Sequence, residues 1–236
     1  MLEYNNINVH IPLSKIAKAN FKDTIDGKKV ELFFLTNQNG LEVCLCNYGV
    51  RVISLMVPDK NGKFEDVVLG FNSIKEYKDI EGRYFGSIIG QYANRIEKGI
   101  FSINNKEYTL DLNEGENHLH GGSVGYNDVV WNVLKVTNNT VTFQRSFDDG
   151  QNGYPGNLDV QVTYTLTEEN ELKIEYEATT DTATIINLSH HSYFNLKGEG
   201  KGSIKDHVLK VNADYYTPIN KELIPNQGVQ SVIDSP

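Results

Sequence analysis

Two histidines stand side by side in "LSHHSYFNL", residues 188–196, among hydroxyl, amide and aromatic side chains. Histidine is the side chain whose ordinary pKa, about 6.5, lets it give and take a proton near neutrality. Neighbouring side chains of an extended strand point to opposite faces, so His190 and His191 meet two different environments. One is expected in a packed layer, the other facing something that uses it. Ser192, Tyr193 and Asn195 supply groups able to fix a tautomer. The plain alternative is a hydrogen-bonded core histidine.

Three further stretches carry polar chemistry. "NHLHGG" places His118 and His120 on one face of an extended segment, ahead of two glycines that permit a sharp turn or close ligand approach. Such a pair can bind zinc, but three or four ligands are needed and no acid or cysteine is suitably placed, so no metal is expected. "GQYANRIEKGIF" sets the amide of Asn94 beside the planar guanidinium of Arg95, a combination that grips neutral hydroxyls or carboxylates through fixed donors. A surface arginine would look the same. "DGQNGYPGNL" is a turn-rich loop around Tyr154, either plain turn structure or the rim of a cleft. Nucleophilic catalysis is disfavoured. There is no G-x-S-x-G elbow, and Cys44 and Cys46 sit two apart in an apolar strand as buried free thiols.

The elements that must hold these residues read as strand, turn, strand. Hairpins are expected about residues 37–40, Asn104-Asn105 and Asn138-Asn139. Phe101, Ile103, Tyr108 and Leu110 point inward from the second. Val160, Val162, Tyr164 and Leu166 fall on one face of a strand, and Leu172, Ile174 and Tyr176 on one face of the strand that returns. Helix is scarce: "NSIKEYKD", with Asn72 or Ser73 as N-cap, and a short piece in "PLSKIAKAN". The pattern predicts an all-β chain, one large antiparallel β-sandwich domain over residues 1–236.

Composition bounds the partners. The 236 residues carry 22 basic and 31 acidic side chains, a net −9 with no basic stripe, which excludes a nucleic-acid backbone as ligand. No apolar run has the length of a membrane span, and "MLEYNNINVHIPLSK" lacks the layout of a secretory signal, so a soluble, cytoplasmic protein is expected.

Taken in order, "NYGVRVISLMVPDKNGKFEDVVLGF", "GQYANRIEKGIF", "NHLHGG", "DGQNGYPGNL" and "NLSHHSYFNL" resemble the aldose 1-epimerase (galactose mutarotase) family. The resemblance runs from about Val30 onward. It implies a large antiparallel sandwich with a sugar cleft, and interconversion of the α and β anomers of an aldose such as galactose or glucose, without metal or organic cofactor. A base removes the C1 hydroxyl proton while an acid protonates the ring oxygen; the ring opens, C1–C2 rotates, and closure occurs on the other carbonyl face. By resemblance His191 donates the proton to the ring oxygen, and His120 is a catalytic-site histidine that hydrogen-bonds the sugar. Asn94 and Arg95 bind sugar hydroxyls, and Ser192 and Tyr193 line the binding wall. His190 is left to packing.

Two departures stand out. Gln91 occupies a position where many relatives carry arginine. The family's later Asp-His-Asn-Phe-like segment and its general-base glutamate have no counterpart before Pro236, so the sandwich is expected to be C-terminally incomplete. Unpaired edges would then favour self-association. The competing functions are a carbohydrate-binding protein of the same fold and a β-sandwich glycoside hydrolase. The hydrolase needs two flanking carboxylates that no motif identifies.

Overall fold

Asparagine- and glycine-rich turns divide the chain into hairpins, and two sets of four strands result. The computed structural model describes residues 12–79 and 83–233; of the N-terminal stretch "MLEYNNINVHIPLSK", residues 1–11 lie outside them. The first sheet joins β1 (Leu32–Thr36), β2 (Glu42–Cys46), β3 (Arg51–Pro58) and β4 (Phe64–Asp66) in sequence order, all antiparallel. The second joins β5 (Asn132–Val136), β6 (Thr140–Phe147), β7 (Leu158–Leu166) and β8 (Leu172–Thr180) in the same manner. The expected hairpins at 37–40, 104–105 and 138–139 are all present. At the first, the Asn37 side chain accepts from the backbone N–H groups of Asn39 and Leu41 and so closes the turn.

The sheets pack face to face as a sandwich. Val43 and Leu45 of β2, Val141 and Phe143 of β6, and Val160, Val162, Tyr164 and Leu166 of β7 form one buried cluster. Phe33 meets Phe143 edge-on at 5.5 Å, and the Tyr164 hydroxyl donates to the Val50 carbonyl at 3.0 Å, tying sheet to sheet. β7 alternates as its sequence predicts, with its five even-numbered apolar residues, Leu158 to Leu166, buried. Leu172, Ile174 and Tyr176 of β8 share that face by register, but among the described residues β8 ends its sheet, and Tyr176 remains 36% exposed.

β2 is buried at all five positions because its two faces meet different layers. Cys44 and Cys46 point away from the sandwich interior into a second cluster with Phe21, Ile74 and Tyr77. That cover comes from a single 3-10 turn, Lys18–Phe21, and one helix, α1 (Ile74–Asp79). The turn is all that remains of the helical piece expected at residues 12–20. Ser73 caps α1: its Oγ accepts from the Glu76 N–H at 3.4 Å and donates to the Glu76 carboxylate at 2.7 Å.

Candidate active site

Two short ladders bring the chemistry-bearing stretches together. Arg95–Ile96 pairs with His118–Leu119, with Leu119 opposite Arg95, while Ile88–Ile89 pairs with Ser189–His190. Gly90 lies between them, and the chain at Gly121 crosses so close to the Gly90 carbonyl that a side chain there would collide with backbone. His120, at φ +54°, turns out of the ladder at this crossing.

Histidine 120 is locked by backbone on both sides. Its N–H donates to the Asn94 carbonyl at 3.1 Å, and its Nδ1 accepts from the Asn94 N–H at 3.0 Å. A ring nitrogen that accepts carries no proton, so the neutral imidazole holds its hydrogen on Nε2. Burial, then the neighbouring His191 and Arg95, push the pKa of His120 down to about 4. At neutral pH it is an uncharged hydrogen-bond donor.

His191 stands edge to face with His120, ring centroids 5.2 Å apart, and packs against Tyr193 at 5.1 Å and Tyr84 at 5.8 Å. The segment carrying Tyr84 also fixes the His191 backbone: Gly86 N–H donates to the His191 carbonyl, and His191 N–H to the Ser87 carbonyl. Tyr84 contacts His120 as well, at 4.8 Å, and its hydroxyl accepts from Arg83 at 2.9 Å. Arg83 in turn faces Asp128 at 3.4 Å. Arg95 spreads its guanidinium over Glu114, Nε to Oε2 at 2.8 Å and Nη2 to Oε1 at 2.5 Å, with Nη1 3.4 Å from the Asn94 amide oxygen. That pairing holds the Glu114 carboxyl below the usual carboxylate range.

The structure thus gathers His191, His120, Tyr193, Asn94 and Arg95. Ser192 goes elsewhere: its Oγ lies 3.3 Å from Nε2 of His190, as alternation along the strand requires. His190 packs on the Tyr164 ring at 6.1 Å, and burial lowers its pKa to about 4. The expectation that His118 and His120 share a face is corrected. His118 is fully buried, with Nδ1 on the Asp111 carbonyl and Nε2 on the Tyr154 hydroxyl, because the left-handed turn at His120 breaks the two-residue alternation. Tyr154 itself is buried, and Gln91 donates to Thr184 and Ile185. Tyr84, Arg83 and Glu114 were missed. The aromatic pair before Gly86 was a faint signal for the first; Glu114 could be found only through the register that sets its hairpin against Arg95. Two cavities of about 620 and 590 Å³ share none of these residues. Among the described residues no helix is long and apolar enough to cross a membrane.

The sequence model described as aldose 1-epimerase matches residues 31–236. The galactose mutarotase of Sus scrofa is 40% identical over 217 residues, covering 92% of this chain and 63% of that protein. The aldose 1-epimerase of Haemophilus influenzae is 39% identical over 211 residues, 89% of this chain and 61% of its own length. A crystal structure of a GalM/aldose epimerase homologue from C. elegans superposes with a TM-score of 0.82 at 34% identity, covering 87% of this chain and 62% of that one. The chain therefore spans a little under two thirds of the length of these relatives. With the motifs, the sandwich and these matches in agreement, this chain belongs to the aldose 1-epimerase family.

Proposed function

We propose that this chain carries the sugar-gripping and proton-donating part of a mutarotase that interconverts the α and β anomers of an aldohexose such as galactose or glucose. The supporting observation is the single cluster in which the His191 imidazole meets a neutral His120, whose hydrogen is held on Nε2, beside Asn94 and Arg95. His191 delivers the proton to the ring oxygen, and His120 donates from Nε2 to an oxygen near C1. Arg95 and Asn94 hold hydroxyls: after the Glu114 pairing, both terminal guanidinium nitrogens retain a hydrogen for the sugar. Tyr193 offers an aromatic wall.

Glu114 is poorly suited to act as the base that deprotonates the C1 hydroxyl, since Arg95 holds it ionised and a weakly basic carboxylate takes protons slowly. Among the described residues we assign no base. That observation favours, as the second reading for these 236 residues alone, sugar binding without turnover. Polarimetry on freshly dissolved α-galactose and α-glucose decides. Mutarotation at the buffer rate, together with calorimetric binding, selects the binding reading; mutarotation at the buffer rate with no binding overturns the sugar site. Two unpaired, buried cysteines suit a reducing, cytoplasmic compartment. β8, with a neighbour on one side only among the described residues, is the edge through which copies associate, and a monodisperse monomer in light scattering would refute that.

A further inference from the structure

The charges around the two imidazoles cancel in pairs. Arg95 is engaged by Glu114 through two of its nitrogens, and Arg83 lies 3.4 Å from Asp128. His120, with its pKa near 4, adds no charge at neutrality. Beyond Glu114 an adjoining pocket of about 390 Å³ is lined by Glu116 and Glu222 as well as Lys221, so the wall behind the arginine is on balance acidic. An unpaired guanidinium in such a place would prefer a carboxylate or phosphate to a hydroxyl, because an opposite full charge adds Coulomb attraction and a bidentate fit that a neutral oxygen lacks. A guanidinium already forked onto a carboxylate offers donors of the same geometry with little net field.

We infer that Glu114 is a specificity-determining residue: by neutralising Arg95 it makes the site accept uncharged aldoses and reject their anionic counterparts, the uronates and sugar phosphates. The inference rests on the sugar-binding reading above. It concerns selectivity and not turnover, so binding alone tests it. Glu114→Gln retains the planar shape and one acceptor for Arg95 while removing the negative charge. The chain then holds an arginine whose field is uncompensated within hydrogen-bond distance.

The experiment is calorimetry of wild type and Glu114→Gln with D-galactose and with D-galacturonate, at low and at high salt. The ratio of the two affinities is expected to shift at least tenfold toward galacturonate in the variant, mostly through tighter uronate binding. The shift should shrink at high salt, as screening requires of a charge effect. Glu116→Gln, on the same pocket but without a contact to Arg95, is the control and should move the ratio less than threefold. A ratio unchanged in folded Glu114→Gln overturns the inference, as does an equal shift from Glu116→Gln. Should Glu114→Gln unfold, Arg95→Gln with the carboxylate kept is read instead: further loss of galacturonate binding relative to galactose supports the inference, and an unchanged ratio overturns it. Wild type that binds neither sugar refutes the sugar site itself, and a gain of galacturonate binding in Glu114→Gln would still report the field of Arg95.

Discussion

The imidazole of His120 meets that of His191 at 5.2 Å with an interplanar angle of 87°, so each sits against the other's ring. Two protonatable rings this close oppose a second positive charge, and His120 yields, with burial as the larger cause. The His120 imidazole, which gains its second proton at Nδ1, should titrate by NMR with a midpoint near 4, well below the 6.5 of an ordinary histidine. A midpoint above about 6 in the free protein would refute the locked-donor role. The sign for stability follows. His120 and His190 both fold with depressed pKa values, so the unfolded chain binds more protons between about 4 and 6.5. Their contribution is whole above pH 6.5 and declines as pH falls toward 4, which urea midpoints across that window will show.

Replacing His191 with asparagine keeps a hydrogen-bonding group but no transferable proton. Any epimerisation shown by this chain, or by a longer form containing it, should fall by about 10²–10⁴, a barrier increase of roughly 2.7–5.5 kcal/mol. Sugar affinity should persist. A larger loss from His190→Asn in folded protein would mean that the two histidines have been assigned in the wrong order.

Tyr84 touches both imidazoles and is tied to Arg83 through its hydroxyl. Tyr84→Ala should lower kcat by up to about 10² while KM changes little, because the reacting groups lose their mutual angle and not their contacts to sugar. Tyr84→Phe keeps the ring and should restore most of the rate. Equal kcat in wild type and Tyr84→Ala would remove the ring from the positioning role.

Arginine 95 tests the planar fork. Lysine keeps the charge but cannot span both Glu114 oxygens and still present donors in one plane. Weaker galactose binding by Arg95→Lys is expected in calorimetry, and an unchanged Kd would return Arg95 to the surface.

Gly121 adopts φ +87°, and a Cβ there would run into the backbone of Gly90 and Gln91. Gly121→Ala must therefore part the two segments that bring His120 to Asn94. A stability loss of about 3 kcal/mol is expected, with loss of the His120 signal at low pKa. A melting temperature equal to wild type would show the crossing to be looser than drawn.

Much of the sandwich was legible because burial on one face leaves a two-residue rhythm, as in Val160, Val162, Tyr164 and Leu166. The same rhythm placed His190 and His191 on opposite sides. It failed at His118 and His120, where the strand stops at Leu119 and a left-handed residue rotates the next side chain. It was silent on Glu114, since "NEGEN" reads as a turn and only the ladder against Arg95 turns its carboxylate to use. Ser192, read as part of the binding wall beside His191, follows the strand's alternation to His190 instead.

The doubly covered strand β2 has a use at the bench. Burial drives the Cys46 thiol to about 12 and raises Cys44 well above its ordinary range, so neither presents a thiolate to solvent. Cys44 and Cys46 are the two cysteines of the chain, and both lie under the Phe21–Tyr77 layer. A colourless alkylating reagent therefore has to wait until that layer lifts from the sheet. Its uptake, followed by mass, becomes a clock for the opening of one specific face, read without any label introduced into the molecule.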